Sequence, residues 1–282
     1  MSYQTIECEL AGGILILRHA REDKLNARNS QMYVEIMAAL QEASEDDQVV
    51  LVVLTGKGRF FSAGMDFKNE ARLAYDILPT DSSRVRAIKE SFPQRDPDDV
   101  RTWPAVRFIE AFINFDKPIV GAVNGPAIGE GFSSLLHCDV VYAAESAYFW
   151  APFARAGVAP EFCSSKLMAQ RLGATLANAA IFLGRRISVA QAKAAGFVLD
   201  IFPSDEQFES RILGALQDGL SMTGPPEVRA NTLRAYKELA VGGRTREELT
   251  HICHEEFQLI RQRELSGDTQ TVQAYYSQEL PQ

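Results

Sequence analysis

Four short apolar runs constrain the fold of this chain more than any other feature: Ile14-Leu15-Ile16-Leu17, Val49 to Leu54, Pro118 to Val123 and Val140 to Ala144. Each ends in Gly, Asn or a charged residue, which is the pattern of a strand buried on both faces. Helical periods lie between them. Ser30 is placed to cap a helix whose Tyr33, Ile36, Met37 and Leu40 fall at i, i+3, i+4 and i+7, and the Val49 run follows directly. Strand, helix, strand in that order makes a right-handed parallel crossover. After Phe153 the strand signal fades. Ser188 with Gln191 and Thr245 with Glu248 read as capping boxes, and Pro225 suits a helix start. The expectation is an α/β core over residues 1–200 and a helical region over residues 203–282.

At 282 residues with 46% apolar side chains, the chain can fill a substantial core, and disorder and disulfide-stapled miniproteins are excluded. Lys and Arg total 29 against 37 Asp and Glu, for a net charge of −8. No global positive field gathers polyphosphate, so nucleic acid is not expected as a partner. A local cluster of backbone N–H groups can still hold a phosphorylated small ligand. Cys8, Cys138, Cys163 and Cys253 stand singly without CxxC spacing, which points to a reducing compartment. No basic-then-apolar leader, no long apolar span and no terminal Ser-Lys-Leu address is read, so a cytoplasmic protein without membrane insertion is expected.

Several motifs fail on inspection. Gly56-Lys57-Gly58 is followed by Phe61 where a dinucleotide fingerprint needs its third glycine, and no lysine completes a P-loop. Gly131-Phe132-Ser133-Ser134-Leu135 lacks the last glycine of a nucleophile elbow. His251, Cys253, His254 and Glu255 crowd one helical stretch without H-E-x-x-H spacing, so surface and packing roles are expected there and no metal. The charged segment from Lys68 to Trp103, broken by Pro79, Pro93 and Pro97, reads either as a flap over a site or as a surface excursion with a helix around Arg84 to Ser91.

Three glycine-centred segments survive. Gly58-Arg59-Phe60-Phe61-Ser62-Ala63-Gly64-Met65-Asp66-Phe67 follows the Val49 strand, and Asn124-Gly125-Pro126-Ala127-Ile128-Gly129-Glu130-Gly131-Phe132 follows the Pro118 strand. In both, a buried strand ends in small residues before a helical segment, which leaves backbone N–H groups free and open to close approach. Two such groups converging on one point make an oxyanion hole. The third segment runs from Ala151 through Pro160-Glu161-Phe162-Cys163-Ser164-Ser165. Glu161 has two readings at this level. It is a general base in an apolar pocket formed with Phe132, Phe153, Val158 and Phe162, or a first-turn glutamate favoured by the helix dipole.

The order Phe-Ser-Ala-Gly-Met-Asp, Asn-Gly-Pro-Ala-Ile-Gly, Cys-Asp-Val-Val-Tyr-Ala and Gly-Val-Ala-Pro-Glu-Phe-Cys-Ser-Ser resembles the crotonase (enoyl-CoA hydratase/isomerase) superfamily over essentially the whole chain. Pro160-Glu161-Phe162-Cys163-Ser164-Ser165 is most similar to the Δ3,Δ2-enoyl-CoA isomerase branch. The resemblance implies a spiral of repeated ββα units, C-terminal helices that mediate trimer formation as a homotrimer or dimer of trimers, and an acyl-CoA thioester substrate in fatty-acid β-oxidation. No separate cofactor is implied, because CoA belongs to the substrate. The resemblance puts the N–H groups of Met65 and Glu130 on the thioester oxygen, Glu161 beside the acyl chain, and Ala63, Gly64, Asp66, Gly129, Phe132, Phe153 and Pro160 around the substrate.

Hydratases of the family use two glutamates, and Ser133 and Phe153 stand at the matching positions. Double-bond migration needs only one carboxylate, which removes a proton from C2 and returns it to C4. Glu130 departs from the small or aliphatic residue usual in the family. Its side chain either turns outward to solvent, Arg155 or Lys68, or forms a carboxylate pair with Glu161 as a second acid/base. The pair would favour a hydratase or another crotonase-type lyase; a non-catalytic acyl-CoA-binding subunit is a further alternative. Arg21, Lys24 and Arg28 are candidates for the CoA phosphates and equally for solvated surface charges.

Overall fold

A computed structural model describes residues 3–66, 82–91 and 96–279. Strands β1 (Ile6–Ala11) and β2 (Ile14–His19) form an antiparallel hairpin, and α1 (Ser30–Glu45) leads from β2 into β3 (Leu51–Gly56), which pairs parallel to β2. The expected crossover is therefore present. Its helix is capped by Asn29 rather than Ser30: the Asn29 carbonyl oxygen of the side chain accepts from the Met32 N–H at 3.0 Å. Both residue types cap well, and Asn29 holds the extended backbone that a cap requires.

The next elements are α2 (Ser83–Ser91), α3 (Pro104–Asn114), β4 (Ile119–Val123), β5 (Ala127–Ile128) and α4 (Glu130–Ser133). They are followed by β6 (Val140–Ala144), β7 (Tyr148–Trp150) and α5 (Phe153–Ala156). Twice, then, a strand of a large sheet is followed by a strand of a small sheet and a short helix. The large sheet has the order β1-β2-β3-β4-β6-β9, where β9 is Asp200–Phe202, and the small one β5-β7-β8, where β8 is Ile187–Ser188. This alternation is the spiral of ββα units expected from the resemblance. Between them lie α6 (Ser164–Leu172), α7 (Ala174–Leu183) and α8 (Val189–Ala194), the last with the reciprocal Ser188–Gln191 capping box.

Helices α9 (Phe208–Ser221), α10 (Pro226–Leu265) and α11 (Asp268–Glu279) follow the last strand. Pro225 is the N-cap of α10. The capping box read at Thr245 with Glu248 is corrected: Thr245 lies inside α10, the helix breaks three residues earlier at Gly242, whose φ of 50° and ψ of 163° are not helical, and the Glu248 carboxylate pairs with Lys166. Of the Lys68 to Trp103 segment, the helix around Arg84 is present as α2, while the flap reading falls largely on residues 67–81 and 92–95, outside the described residues. Among the described residues no helix is long and apolar enough to cross a membrane.

The main core lies between the large sheet and α1 and α3. Tyr33 of α1 stacks on Phe108 of α3 at 4.4 Å, and Phe108 and Phe112 both meet Phe162 edge-on at 5.6 Å. The strand-to-helix turns after β3 and β4 are laced together. Asn124 accepts from the Gly56 N–H at 3.0 Å through Oδ1 and donates to the Gly58 carbonyl at 2.8 Å through Nδ2. Gly125 sits so close that a Cβ there would lie 2.1 Å from the Arg59 carbonyl oxygen. Gly125→Ala should therefore lower stability by more than about 2 kcal/mol in chemical denaturation, through a backbone clash with no side chain to yield. Gly214→Ala, in the interior of α9 with nothing within 4 Å, should raise stability by about 0.5–1 kcal/mol.

Candidate active site

Two chain segments, one after β3 and one around β5, form the walls of the site. In the first, the Phe61 and Ser62 amides donate to the Pro126 carbonyl, Ala63 to Leu25, and Gly64 to the Ser62 hydroxyl; Asp66 donates to the Arg28 carbonyl. The Met65 N–H donates to no acceptor among the described residues. In the second, the Ile128 amide donates to the Ser62 carbonyl at 2.9 Å and Gly129 to the Trp150 carbonyl at 2.7 Å. Phe132 and Ser133 close back on the Gly129 carbonyl, which leaves the Glu130 N–H at the first turn of α4 without an acceptor among the described residues.

The two unspent amides are neighbours. Gly64 has φ +91°, and a Cβ built on it would lie 2.7 Å from the Ile128 carbonyl oxygen and 3.5 Å from the Glu130 nitrogen. Gly131 is pressed equally close on the Ser62 side chain, with its own Cβ position 2.7 Å away. Only glycine at 64 combines the left-handed backbone with that approach. Met65 and Glu130 are buried, at 7% and 2% exposure, so a ligand atom reaching these amides would meet little competing water.

The Glu130 side chain follows neither of the paths expected from the sequence. It does not turn outward, and Arg155 lies instead over the Tyr276 ring at 4.8 Å; Lys68 is outside the described residues. The carboxylate is buried between Arg28, whose Nη1 is 3.3 Å from Oε1, and the Tyr33 hydroxyl, which donates to Oε2. Burial pushes the Glu130 carboxyl up, while Arg28 and Tyr33 pull it down. Arg28 and Tyr33 complete the site, and nothing local in the sequence pairs them with a residue about 100 positions away. Arg28 is thus corrected as a CoA-phosphate candidate: it is 0% exposed. Arg21 is engaged too, at 3.1 Å from the Asp66 carboxylate, and of the three only Lys24 points to solvent, beside Asp23. His19, between Arg28 and the Phe61 carbonyl, is held well below the ordinary imidazole range by burial and the Arg28 charge.

Glu161 is 6% exposed and precedes α6 by three residues, so it is not the first-turn glutamate of that helix. Its turn is unusual: Phe162 and Cys163 both adopt left-handed backbone, at φ 58° and 54°. Such strain persists only where the surroundings over-determine it. Here the His137 ring meets the Phe162 carbonyl at 2.9 Å, and the two oxygens of Glu256, from α10, accept from the Cys163 and Ser165 amides at 2.8 and 2.9 Å. Tyr33 links this turn to the amide pair electrostatically. Its hydroxyl is raised well above the usual phenol range by burial first, then by Glu130 and Glu161.

The remaining expected residues are placed as follows. Phe132 packs against Phe149 and Phe197 at 5.3 and 6.0 Å, and Phe153 is buried at the start of α5. The Ser133 hydroxyl donates to the Gly129 carbonyl at 3.0 Å. Pro160 is partly exposed beside Glu161, and Ala63, Asp66 and Gly129 are half-buried along the two walls. In the His251–Glu255 stretch, Cys253 is buried, His254 pairs with Glu110 at 3.1 Å and His251 with Glu255 at 3.4 Å. No group of three or more His, Cys, Asp or Glu among the described residues is placed to hold a metal ion.

The fold is that of the crotonase class. The chain matches the enoyl-CoA hydratase/isomerase family over residues 9–87 and 88–258 and belongs to it. It is 32% identical to enoyl-CoA delta isomerase 2 of Homo sapiens over 266 residues, covering 94% of this chain and 61% of that protein. It is 33% identical to the peroxisomal enoyl-CoA delta isomerase 3 of Mus musculus over 227 residues, covering 80% of this chain and 64% of that one. The chain thus spans about three fifths of the length of these relatives. A crystal structure of an enoyl-CoA hydratase/isomerase from Pseudoalteromonas atlantica superposes with a TM-score of 0.79 at 28% identity, covering 99% of this chain and 98% of that one.

Burial pushes the Glu256 carboxyl up from 4.5 to about 7, against the pull of its hydrogen bonds to Ser165 and Cys163. A carboxyl raised on folding holds a proton that the unfolded chain has released, so folding is penalised progressively as pH rises from about 4.5 to 7. His19 and His137 act in the opposite sense, but equally in parent and variant. In melts between pH 5 and 8, Glu256→Gln should therefore lose less stability than the parent, by about 2–3 kcal/mol. A parent-minus-variant difference that is constant with pH would remove this assignment.

Proposed function

We propose that this chain is an acyl-CoA isomerase that shifts a 3-enoyl-CoA double bond to the 2-trans position. The observation that carries the reading is the pair of adjacent amides of Met65 and Glu130, which donate to no acceptor among the described residues, with the buried Glu161 carboxylate, whose charge acts on the same Tyr33 hydroxyl that Glu130 holds. The isomerase names of the relatives at 32–33% identity support the same choice.

The substrate's thioester oxygen accepts from both amides. Glu161 removes a proton from C2, the C2–H electron pair moves into the C1–C2 bond, and negative charge collects on the thioester oxygen as a dienolate. The protonated Glu161 then delivers the proton to C4, the C1–oxygen double bond re-forms, and the double bond is left between C2 and C3. No water, oxidant or second base is consumed. Loss of one oxyanion donor costs about 3 kcal/mol in such reactions, and a positioned base adds roughly 10²- to 10⁴-fold.

The hydratase alternative requires a second acid or base facing water. Ser133 and Phe153 supply none, and the Glu130 carboxylate is spent on Arg28 and Tyr33. The expected trimer is part of the same reading, with the exposed Phe182, Leu183, Leu239 and Leu265 as apolar surface for an assembly to cover. The test is purified chain with 3-enoyl-CoA and 2-enoyl-CoA, followed by absorbance and product analysis. The parent should isomerise the first and leave the second unhydrated, and Glu161→Gln should lower kcat by roughly 10³-fold with little change in KM. Undiminished turnover in Glu161→Gln, or water addition that disappears in Glu130→Gln, would contradict it.

A further inference from the structure

Two amides that grip one oxygen must keep a fixed separation, yet Met65 and Glu130 come from turns that follow different strands. One residue touches both. The Arg28 N–H donates to the Gly64 carbonyl at 2.8 Å, and the Arg28 carbonyl accepts from the Asp66 N–H at 2.8 Å. Met65 is thereby fastened on either side. The guanidinium of the same residue reaches the other wall: Nη1 lies 3.3 Å from both the Glu130 carbonyl oxygen and Glu130 Oε1, and Nη2 is 3.0 Å from the Ser134 hydroxyl. That hydroxyl donates in turn to the Gly131 carbonyl at 3.2 Å. One planar, buried fork thus holds the Glu130 carbonyl and carboxylate directly and the next peptide, through Ser134, indirectly.

We propose that Arg28 is a positioning residue that sets the separation and direction of the Met65 and Glu130 amides, and that the buried Glu130 carboxylate holds the Arg28 fork in register. The proposal rests on the oxyanion-hole reading above. It accounts for a carboxylate standing where charge on a thioester oxygen would be repelled: paired to Arg28, it adds no net charge beside the oxygen. A guanidinium suits the task because it offers several donors in one rigid plane, and an ammonium at this position has the charge without the fork. The aromatic floor agrees, with the Phe108 ring 5.7 Å below the guanidinium and His19 Nε2 at 3.4 Å from Nη2.

Two variants separate positioning from folding. Arg28→Lys keeps the charge. The double variant Arg28→Met with Glu130→Gln removes the pair without stranding a buried carboxylate, which a single truncation would do. Each folded variant is assayed for turnover of 3-enoyl-CoA and for the absorbance red-shift of a bound aryl-acryloyl-CoA thioester, whose wavelength reports carbonyl polarisation and does not depend on the active fraction. Both should lower kcat by roughly 30- to 300-fold with KM within about threefold, and shrink the red-shift. Glu161→Gln should lose turnover with the red-shift intact. A folded variant of either kind with the parent's kcat and red-shift overturns the proposal alone. A parent that shows no red-shift overturns the oxyanion-hole reading and the proposal with it.

Discussion

The close backbone contact between the turns that follow β3 and β4 is the constraint on which the rest of the site depends. Parallel pairing of these strands sets the turns side by side, with Val52 to Leu54 opposite Ile119 to Gly121. From there the walls touch through main chain: Ser62 bridges Ala127, Gly64 lies against the Ile128 carbonyl, and Gly131 against Ser62. A side chain at 64 or 131 would part the walls. With them in contact, the amides of Phe61 to Gly64, of Asp66, of Ile128 and Gly129 and of Phe132 and Ser133 all find acceptors, while those of Met65 and Glu130 find none among the described residues and are left beside each other. The unspent pair is thus a product of the packing that makes the joint.

A second consequence is electrostatic. The chain carries a net charge of −8, and the proposed reaction, which builds negative charge on a thioester oxygen, has to be supported locally. Backbone dipoles in a buried setting do this without reorganising. The acidic groups nearest to them are neutralised or held in place. Glu130 is paired with Arg28, and Glu256, raised by burial, spends its oxygens on the amides behind Glu161. The strained Phe162–Cys163 turn is therefore anchored from α10 and from His137, and Glu161 is presented by a rigid support built from distant parts of the chain.

Much of this was legible in the sequence where the signal is local. The Val140 run is β6 to the residue, the Ser188–Gln191 pair is a true capping box, and the glycines of both turns stand where the two walls approach most closely. Such features depend on residues within a few positions of one another. The strands β5, β7 and β8, of two or three residues each, were not legible, because so short a run carries no periodicity. The direction of the Glu130 side chain was missed for a different reason. It is decided by Arg28 and Tyr33, each about 100 positions earlier, and Arg28 read as a surface base among Arg21 and Lys24. Glu256 was hidden beside four other polar or reactive residues on one helix, and only the three-dimensional packing shows which of them turns inward.

The central claim is that one carboxylate, Glu161, carries a proton from C2 to C4 beneath an oxygen held by two amides. It is tested most directly by turnover of 3-enoyl-CoA deuterated at C2, in ordinary water, with mass and NMR analysis of the early product. The account predicts 2-trans-enoyl-CoA with deuterium transferred to C4 in a measurable fraction of molecules. Product whose C4 hydrogen always comes from solvent, with no transferred label at any conversion, would contradict it.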